Sequence, residues 1–413
     1  MTLTLHKSDV RTVQLGTTTA LEAGTLTVDG TALTAQLQQR DERIERVAVH
    51  VALPGEATRI VCTKDVIQPR CKIDGESVGE GTTHALENVA VVTCGPIVGF
   101  QEGIIDMPGP GAEYTPFSKL CLVVIEISVV AGTSPHEHEA AVRSAGLHAA
   151  EWLAASCGEA IPDRGEQILW DEVVVDAALP RIAYIDMVLS QGLLHDTYVL
   201  GRNAGDALPC HLDPRVLIDG GVVSGNCVSA CDKTTTYHHQ NNPVITELLA
   251  GHGTRWNFTG VVMTNEPTRL AAKQQSAQRA IALVQELEAD GAILSKEGFG
   301  NPDADLMMLI RGLEAAGIKT VAITDEFAGP DGASQSLADT AVEADAVVSV
   351  GNANQRLALP AMQTVIGPLP DIARLAGGYA HSVSEDGTME VELQAVIGAT
   401  NQLGVGRLSC RAV

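Results

Sequence analysis

The chain has 413 residues, 45% of them hydrophobic, and a formal net charge of −24 at pH 7. This length is typical of two domains with a sizeable core. The acidic charge argues against a nucleic-acid partner, because such a chain repels phosphate backbones. No apolar run reaches the roughly 18 residues of a membrane-spanning helix, and the polar N-terminus predicts no signal peptide.

The nine cysteines indicate a reducing compartment. Their number is odd, and most are isolated within apolar runs, as Cys94 and Cys121 are. This pattern fits buried thiols in a reduced cytoplasm better than a disulfide framework. We therefore expect a cytoplasmic protein.

The first half of the chain predicts a mixed α+β domain. Residues up to about 115 mix short apolar runs with Gly, Pro and Thr, which indicates a β-rich region. The run 121–130 predicts a central strand, and the segment 134–158, which opens with Ser-Pro, predicts a helix. Residues 181–192 form another strand-like run. The glycine-rich stretch 220–225 that follows is the predicted domain boundary.

A cluster of reactive residue types lies at this boundary, in the stretch GGVVSGNCVSACDKTTTYHHQNNPVI at residues 220–245. A zinc site would use Cys227, Cys231, His238 and His239, but adjacent histidines point in different directions on a regular element. A redox pair would usually have Cys-x-x-Cys spacing, which is absent. Two cysteines buried as small hydrophobic residues fit poorly with such polar neighbours.

Self-cleavage is the fourth interpretation of this cluster. The Cys227 thiolate would attack the preceding carbonyl carbon, and Gly225 permits the unusual backbone that this attack requires. The Asn226 amide would donate a hydrogen bond to the developing oxyanion. Loss of the Cys227 α-proton, elimination and hydrolysis would leave a pyruvoyl group, an electrophile that captures amines as Schiff bases. Three further side chains would act as the base or lower the thiol pKa: His238, His239 and Lys233.

From residue 257 onwards, apolar runs alternate with helical patterns. The run 258–264 predicts a buried strand, and apolar residues on one face within 277–287 predict a helix. The same alternation continues with strands at 291–295, 318–324 and 345–351, and with helices at 303–317 and 334–344. It predicts a parallel sheet with right-handed βαβ crossovers. The fold class is therefore α/β, with a parallel C-terminal half and a mixed α+β N-terminal half.

Polar residues follow each predicted strand of this sheet. Ligands of parallel sheets bind beyond the carboxyl ends of the strands, so we expect a substrate site there. Polar loops and helix caps offer a simpler explanation for any single residue. No glycine-rich nucleotide-binding turn or Walker loop is present, and no metal ligand is assigned. The residues expected to bind the substrate are Glu297, Asn301, Asp325, Glu326 and Asn352.

Long stretches of the chain resemble one protein family. The stretch at 220–245, the segments NFTGVVMTNE and SKEGFGNPDADLMM, and EGIIDMPGPGAEYTPFSKL in the first half are similar to the proprotein subunit of component B of the glycine, sarcosine and betaine reductase complexes. The resemblance covers nearly the whole chain. It is weaker in residues 30–90 and 267–279, which leaves the choice of amine open.

The resemblance implies cleavage between Asn226 and Cys227, into fragments 1–226 and 227–413, with the second carrying a pyruvoyl group derived from Cys227. It implies an oxidoreductase of amino-acid fermentation that cleaves the C–N bond of glycine or an N-methylated glycine held as a Schiff base. The implied partners are a selenocysteine-containing component B subunit and a small selenoprotein with a thioredoxin-linked reductant. Betaine, a quaternary amine, cannot form a Schiff base and would need another mechanism.

Two other interpretations of the chain remain open. It would be an amidohydrolase if cleavage freed Cys227 as an N-terminal thiol nucleophile. It would be a non-catalytic scaffold subunit if it stayed uncleaved. Intact mass distinguishes both from the pyruvoyl interpretation, because only pyruvoyl formation combines cleavage with loss of the cysteine.

Overall fold

The computed structural model of the protein describes residues 2–99, 102–158, 162–170, 176–190, 197–225, 228–401 and 403. Asn226 and Cys227, the predicted cleavage pair, lie outside the described residues. The fold is mixed α/β with parallel and mixed sheets, which confirms the general class predicted from the sequence.

Strands dominate the first part of the chain, as predicted. They are β1 (Leu3–Asp9), β2 (Thr12–Leu15), β3 (Ala20–Glu22), β4 (Thr25–Val28), β5 (Ile44–Ala52), β6 (Thr58–Ile67), β7 (Arg70–Asp74), β8 (Gly81–Glu87), β9 (Val89–Cys94), β10 (Gly103–Asp106), β11 (Cys121–Val129) and β12 (Arg164–Ile168). The helices are α1 (Gly30–Arg40), α2 (Gly109–Ala112) and α3 (Pro135–Ser156), with a 3-10 helix at Pro116–Lys119.

Strands and helices alternate in the second part. The strands are β13 (Arg181–Val188), β14 (Thr197–Val199), β15 (Arg202–Asn203), β16 (Cys210–Leu212), β17 (Val222–Ser224), β18 (Asn257–Asn265), β19 (Gly291–Lys296), β20 (Lys319–Glu326), β21 (Val347–Asn352), β22 (Arg356–Leu359), β23 (Thr364–Ile366) and β24 (Met389–Glu392). The helices are α4 (Ala204–Ala207), α5 (Pro214–Ile218), α6 (Thr236–Gln240), α7 (Pro243–Gly251), α8 (Leu270–Glu286) and α9 (Asn301–Ala315), with 3-10 helices at Leu369–Arg374 and Leu393–Ala395. Within the described ranges, none of the helices has the length and apolar content needed to cross a bilayer.

Helix α3 begins as its sequence predicts. Ser134 accepts a hydrogen bond from the backbone N–H of Glu137, and the Glu137 carboxylate accepts one from the N–H of Ser134. This capping box satisfies two backbone donors, and Pro135 occupies the first helical position, where no N–H is needed. The helix packs its buried face, including Ala149 and Leu153, on the sheet with strand order β10-β6-β9-β11-β5.

The parallel sheet predicted for the second half is present. Its strand order is β16-β18-β13-β19-β20-β21. Strands β13, β18, β19, β20 and β21 are paired in parallel, and β16 pairs antiparallel with β18 at the edge. Apolar clusters cover both faces, one built with α8 and α9 and the other with α7, which explains why β18 is buried along its whole length. The right-handedness of the crossovers stays a prediction.

The predicted short helix at 334–344 is wrong. These residues form bends and turns between β20 and β21. Polar side chains hold the backbone in this form: Asp303 accepts a hydrogen bond from the N–H of Ala338 at 2.7 Å, and Arg311 donates to the carbonyl of Thr340. The segment is rich in Ser, Asp and Thr, which compete with helical hydrogen bonds through their side chains.

Residues on the two sides of position 226 share sheets. Strand β13 precedes this position but lies between β18 and β19, which follow it. Strand β23 comes from the second half and pairs in parallel with β6. The division into domains 1–226 and 227–413 stays a prediction about processing, and within the described residues the two portions build common cores.

Candidate functional site

The polar segment 228–240, which follows the predicted cleavage pair, is largely buried. It lies at the carboxyl end of β19, where the N–H of Thr234 donates to Glu297 Oε1 at 3.2 Å. Asn401 holds it from another side, because Asn401 Nδ2 donates to the Lys233 carbonyl at 3.0 Å and to Thr234 Oγ1 at 3.2 Å. The reactive cluster of the sequence therefore lies beside the strand ends of the parallel sheet.

The two sides of the predicted cleavage pair are joined through Thr236. The N–H of Ser224, at the end of β17, donates to Thr236 Oγ1 at 3.0 Å. Thr236 in turn donates its hydroxyl and its N–H to the Asp65 carboxylate, at 2.6 and 3.0 Å. Asp65 is buried in β6, and burial raises the pKa of its carboxyl group. These contacts attach the chain on both sides of the predicted cleavage pair to strand β6.

A buried ammonium group, that of Lys296, lies among the carboxylates at the strand ends. Its Nζ is 3.1 Å from Asp303 Oδ1 in α9 and 3.5 Å from Asp325 Oδ1 in β20, and all three side chains are fully buried. It also donates to the Gly298 carbonyl. Burial opposes the charge on Lys296, but Asp325 and Asp303 outweigh it and raise the pKa of Lys296. The ammonium is therefore charged at neutral pH.

A third carboxyl group, that of Asp232, lies close to Asp325 of β20. It is fully buried, and neither of its oxygens has a hydrogen-bond partner among the described residues. Burial, and then the nearby Asp325 carboxylate, raise the pKa of Asp232 well above its ordinary value. One polar atom from each of Cys231, Asp232 and Asp325 lies within 4.8 Å of the others.

Glu297 connects the segment to the neighbouring strand end. Its carboxylate accepts hydrogen bonds from the N–H of Leu189 at 2.9 Å and from the N–H of Thr234 at 3.2 Å. Burial raises the pKa of Glu297 to about 7, against these stabilising hydrogen bonds. The group can therefore gain or lose a proton near neutral pH.

His239 faces a carboxyl group in the central strand of the sheet. Its Nδ1 lies 4.0 Å from Asp186 Oδ2 in β13, and both side chains are buried. Neither ring nitrogen has a hydrogen-bond partner in the part of the chain that the structure describes. Burial lowers the pKa of His239 to about 3 and raises the pKa of Asp186 to about 7. The imidazole is thus neutral at neutral pH, and burial makes it a weaker base than a free histidine.

His238 and Lys233, which the sequence predicts to act as the base or to lower the thiol pKa, both make structural contacts. His238 belongs to the cap of α6, where its N–H donates to Thr235 Oγ1 at 3.2 Å and its ring packs 5.1 Å from the Phe117 ring. Burial lowers the pKa of His238 to about 3. Lys233 donates to the carbonyl of Lys64, and burial lowers its pKa. Their catalytic roles stay predictions.

The predicted substrate-binding residues do not all join this cluster. Glu297 and Asp325 do, as described above. Asn301 is exposed at the first position of α9, and its Nδ2 donates to the Pro267 carbonyl at 3.4 Å. Asn352 holds a loop, since its Oδ1 accepts from the N–H of Ala328 at 3.1 Å, and Glu326 is half-buried at the end of β20. Their substrate contacts stay predictions.

Several buried groups of the cluster were not assigned from the sequence. Glu266 follows β18 and is fully buried, and neither carboxylate oxygen has a hydrogen-bond partner within the described ranges. Burial raises the pKa of Glu266 well above its ordinary value. The sequence did contain a signal for Asp186, because a carboxylate inside an apolar strand-like run is rarely buried without a function. The unassigned members are Asp186, Asp232, Glu266, Lys296 and Asp303.

Comparison with known proteins identifies the family of the chain. The sequence matches the family of glycine/sarcosine/betaine reductase component B subunits over residues 1–411. It is 45% identical over 420 residues to the glycine reductase complex component B subunits alpha and beta of Acetoanaerobium sticklandii, covering 97% of each chain. It is 44% identical over 427 residues to the sarcosine reductase complex component B subunit alpha of Peptoclostridium acidaminophilum, covering 100% of each.

A more distant relative is also informative. The D-proline reductase proprotein of Acetoanaerobium sticklandii is 23% identical over 310 residues, which are 67% of this chain and 48% of that protein. No solved structure matches the chain. The family match and the full-length relatives lead to one conclusion: the chain belongs to the glycine/sarcosine/betaine reductase component B subunits and is an amino-acid reductase subunit.

Proposed function

We propose that the protein is the precursor of a pyruvoyl-dependent reductase subunit. The chain cleaves itself between Asn226 and Cys227, and Cys227 becomes the pyruvoyl group. That group supplies the carbonyl which binds the amine of glycine or an N-methylated glycine as a Schiff base, for reductive C–N cleavage by a selenoprotein partner. One observation carries the proposal: the segment that follows the pair is buried at the strand ends, with Thr234 bonded to Glu297.

The names of two relatives support processing of a precursor. The relative from Acetoanaerobium sticklandii that is 45% identical carries the names of two subunits, alpha and beta, for one chain. The more distant D-proline reductase relative is named a proprotein. A single cleavage that leaves two associated subunits accounts for both names.

The described residues are suited to the processing reaction. The bonds from Ser224 and Thr236 to Asp65 hold the chain on each side of the reacting pair, which limits the geometries open to the thiol. The neutral His239 imidazole accepts the Cys227 α-proton, and Asp186 beside it stabilises the imidazolium that forms. Nε2 of His238 also has no hydrogen-bond partner among the described residues, but His239 is favoured because it faces Asp186.

Substrate binding would use both charges and backbone at the strand ends. The Glu297 carboxylate accepts a hydrogen bond from the substrate's ammonium group. Such an acidic site repels the substrate carboxylate, which therefore binds backbone N–H groups of the first loop beyond the strand ends, at 298–302. The second loop, at 328–334, is less suited, because the N–H groups of Ala328, Gly329 and Ser334 already donate within the protein. Gly298 and Gly300 in the first loop have φ of 72° and 82°, a backbone form that lets N–H groups approach a ligand closely.

Intact mass spectrometry of the purified protein tests the proposal. The wild-type protein should give two fragments. The 227–413 fragment should have lost the sulfur and the nitrogen of Cys227 and gained one carbonyl oxygen, and it should resist Edman sequencing, because a pyruvoyl group has no free amine. Cys227→Ala should remain a single chain. The matched control Cys231→Ser should still be cleaved, since only Cys227 follows the Gly-Asn pair.

Each contrary outcome identifies a different error. Cleavage of Cys227→Ala after Asn226 would rule out attack by the Cys227 thiol. A wild-type fragment with an intact N-terminal cysteine would favour the amidohydrolase instead. An uncleaved wild-type protein that retains its fold would favour the scaffold subunit.

A further inference from the structure

A thiol and two carboxyl groups converge beside Lys296. One ligand atom from each of Cys231, Asp232 and Asp325 lies within 4.8 Å of the other two, and all three residues are buried. Ligands held at about 2.0–2.3 Å from a single ion fall within that separation of one another. Thr400 brings a hydroxyl group 3.4 Å from Asp325 Oδ2, and its N–H donates to the Cys231 carbonyl at 2.9 Å.

Asp232 independently points to a ligand in this position. Its side chain is fully buried, and neither carboxylate oxygen has a hydrogen-bond partner among the described residues. Buried polar groups in native proteins are almost always paired with protein, water or an ion. The group beside it is another carboxylate, Asp325, which repels it when both are ionised.

Lys296 meets this need only in part, because its charge lowers the pKa of Asp232 but burial and Asp325 outweigh it. Its ammonium is shared between Asp303 at 3.1 Å, Asp325 at 3.5 Å and the Gly298 carbonyl. Asp232 forms no ion pair with any cation in the described ranges. Buried carboxyl groups therefore outnumber the ammonium groups here, and a buried carboxyl group without a counter-charge holds a proton unless a cation takes its place.

We propose that Cys231, Asp232 and Asp325 bind one divalent transition-metal ion of the zinc class. A thiolate ligand selects zinc and similar ions over magnesium and calcium, which prefer oxygen ligands alone. The Thr400 hydroxyl group takes the fourth position. Binding displaces the thiol proton of Cys231 and any proton on Asp232 into solvent. The site does not depend on the chemistry proposed for Cys227.

Such an ion would fasten the processed segment to the sheet. Cys231 and Asp232 come shortly after the predicted cleavage position, whereas Asp325 belongs to β20. Metal coordination across these two elements would keep the new N-terminal segment at the strand ends once the chain before it is cut. The ion has a structural role in this proposal, because its protein ligands and Thr400 complete the usual four.

Cobalt(II) binding to the full-length, chelator-treated protein tests the site. We expect about one cobalt ion per chain, a near-ultraviolet thiolate-to-cobalt charge-transfer band, and displacement of the cobalt by zinc. Cys231→Ser should lose the band, and Asp232→Asn should bind cobalt at least about tenfold more weakly. Two control variants should keep the band: Cys94→Ser, whose thiol is buried in β9, and Cys227→Ala.

Several results would overturn the site. They are the absence of stoichiometric cobalt binding by the wild-type protein, a band that survives in Cys231→Ser, and a band that disappears in Cys227→Ala or Cys94→Ser. If Cys231→Ser does not fold, Asp232→Asn decides, because it keeps the thiol and nearly the same shape; unchanged cobalt affinity in that variant would refute the assignment. Metal binding is measured independently of cleavage. A negative result would therefore refute the metal site without affecting the proposed self-cleavage.

Discussion

Asp186 illustrates what burial does to a single carboxyl group. It lies within β13 at 2% exposure, and burial raises its pKa from 3.8 to about 7. Between these two values the folded protein holds a proton that the unfolded chain has released. The contribution of this group to stability is therefore fully present below about 3.8 and is lost as the pH rises through about 7.

Asp186→Asn should remove this pH dependence. We expect its melting temperature to fall less steeply than that of the wild-type protein between about pH 4 and about pH 7, as measured by thermal unfolding in a series of buffers. The control is Asp386→Asn, in an exposed turn where the bond from Thr388 lowers the carboxyl pKa, so its titration lies below this range. A slope in Asp186→Asn equal to that of the wild type would refute the assignment of a raised pKa.

His239 and His238 provide a second comparison between single residues. Burial lowers the pKa of His239 from 6.5 to about 3, so its imidazole stays neutral at pH values where a free histidine is charged. We expect the wild-type processing rate to fall with decreasing pH, as the Cys227 thiolate and the Asp186 carboxylate gain protons, with no separate inflection from a histidine near pH 6.5. His239→Gln should slow processing, measured as the fraction of cleaved chain over time.

His238→Gln is the matched variant in the same helix. Because His238 contacts the α6 cap and Phe117, we expect a loss of stability with a wild-type pH profile for the remaining processing. If His239→Gln were processed at the wild-type rate and with the wild-type profile, His239 would not be the base.

At the level of elements, the segment 228–236 depends on Asn401 for its position. Asn401→Ala removes hydrogen bonds to the Lys233 carbonyl and to Thr234 Oγ1. Leaving buried acceptors unpaired should lower the free energy of unfolding by roughly 1–3 kcal/mol. Processing should slow as well, because the segment next to the thiol loses its fixed position. Denaturant unfolding and a time course of intact mass measure the two effects.

Asn354→Ala is the control for this effect. Its side chain accepts a bond from the N–H of Gly329 at 3.1 Å and donates to Glu392, and neither of these partners belongs to the segment. We expect a comparable loss of stability with an unchanged processing rate. Equal processing rates in Asn401→Ala and the wild-type protein would mean that this contact does not position the segment.

Local sequence patterns predicted where the strands and helices lie along the chain, but they did not predict which elements are neighbours in the folded protein. The strands β18 to β21 and the helices α8 and α9 lie where the apolar periodicity placed them, because periodicity reports which face of a segment is buried. The position of β13 between β18 and β19 was not predictable, since strand order depends on contacts between distant parts of the chain. The predicted helix at 334–344 is absent for the same reason, because a contact between distant parts of the chain, the hydrogen bond from the N–H of Ala338 to Asp303, holds this segment in another form.

The same distinction holds for the site. Glu297 and Asp325 were predicted because polar residues at the ends of parallel strands meet at one edge. Lys296 and Asp232 belong to the quoted polar stretches, but nothing in their spacing shows that they are fully buried. Burial of a charged side chain is decided by the packing of several elements, so the pKa shifts that mark the cluster required the structure.

On the scale of the whole molecule, the two predicted fragments should remain associated. Strand β13, in fragment 1–226, is paired on both sides with strands of fragment 227–413. We expect processed protein to elute from a size-exclusion column at the volume of the uncleaved Cys227→Ala variant, and to separate into fragments only in denaturant. Fragments that elute apart in native buffer would contradict this expectation.

The interleaving of β13 with later strands also fixes an order in time. Under the proposed function, the contacts that hold both sides of the cleavage pair, from Ser224 and Thr236 to Asp65, join parts of the chain that meet only in the folded protein. Cleavage must then come after folding. The cut becomes a permanent chemical record that a given molecule has reached its native state.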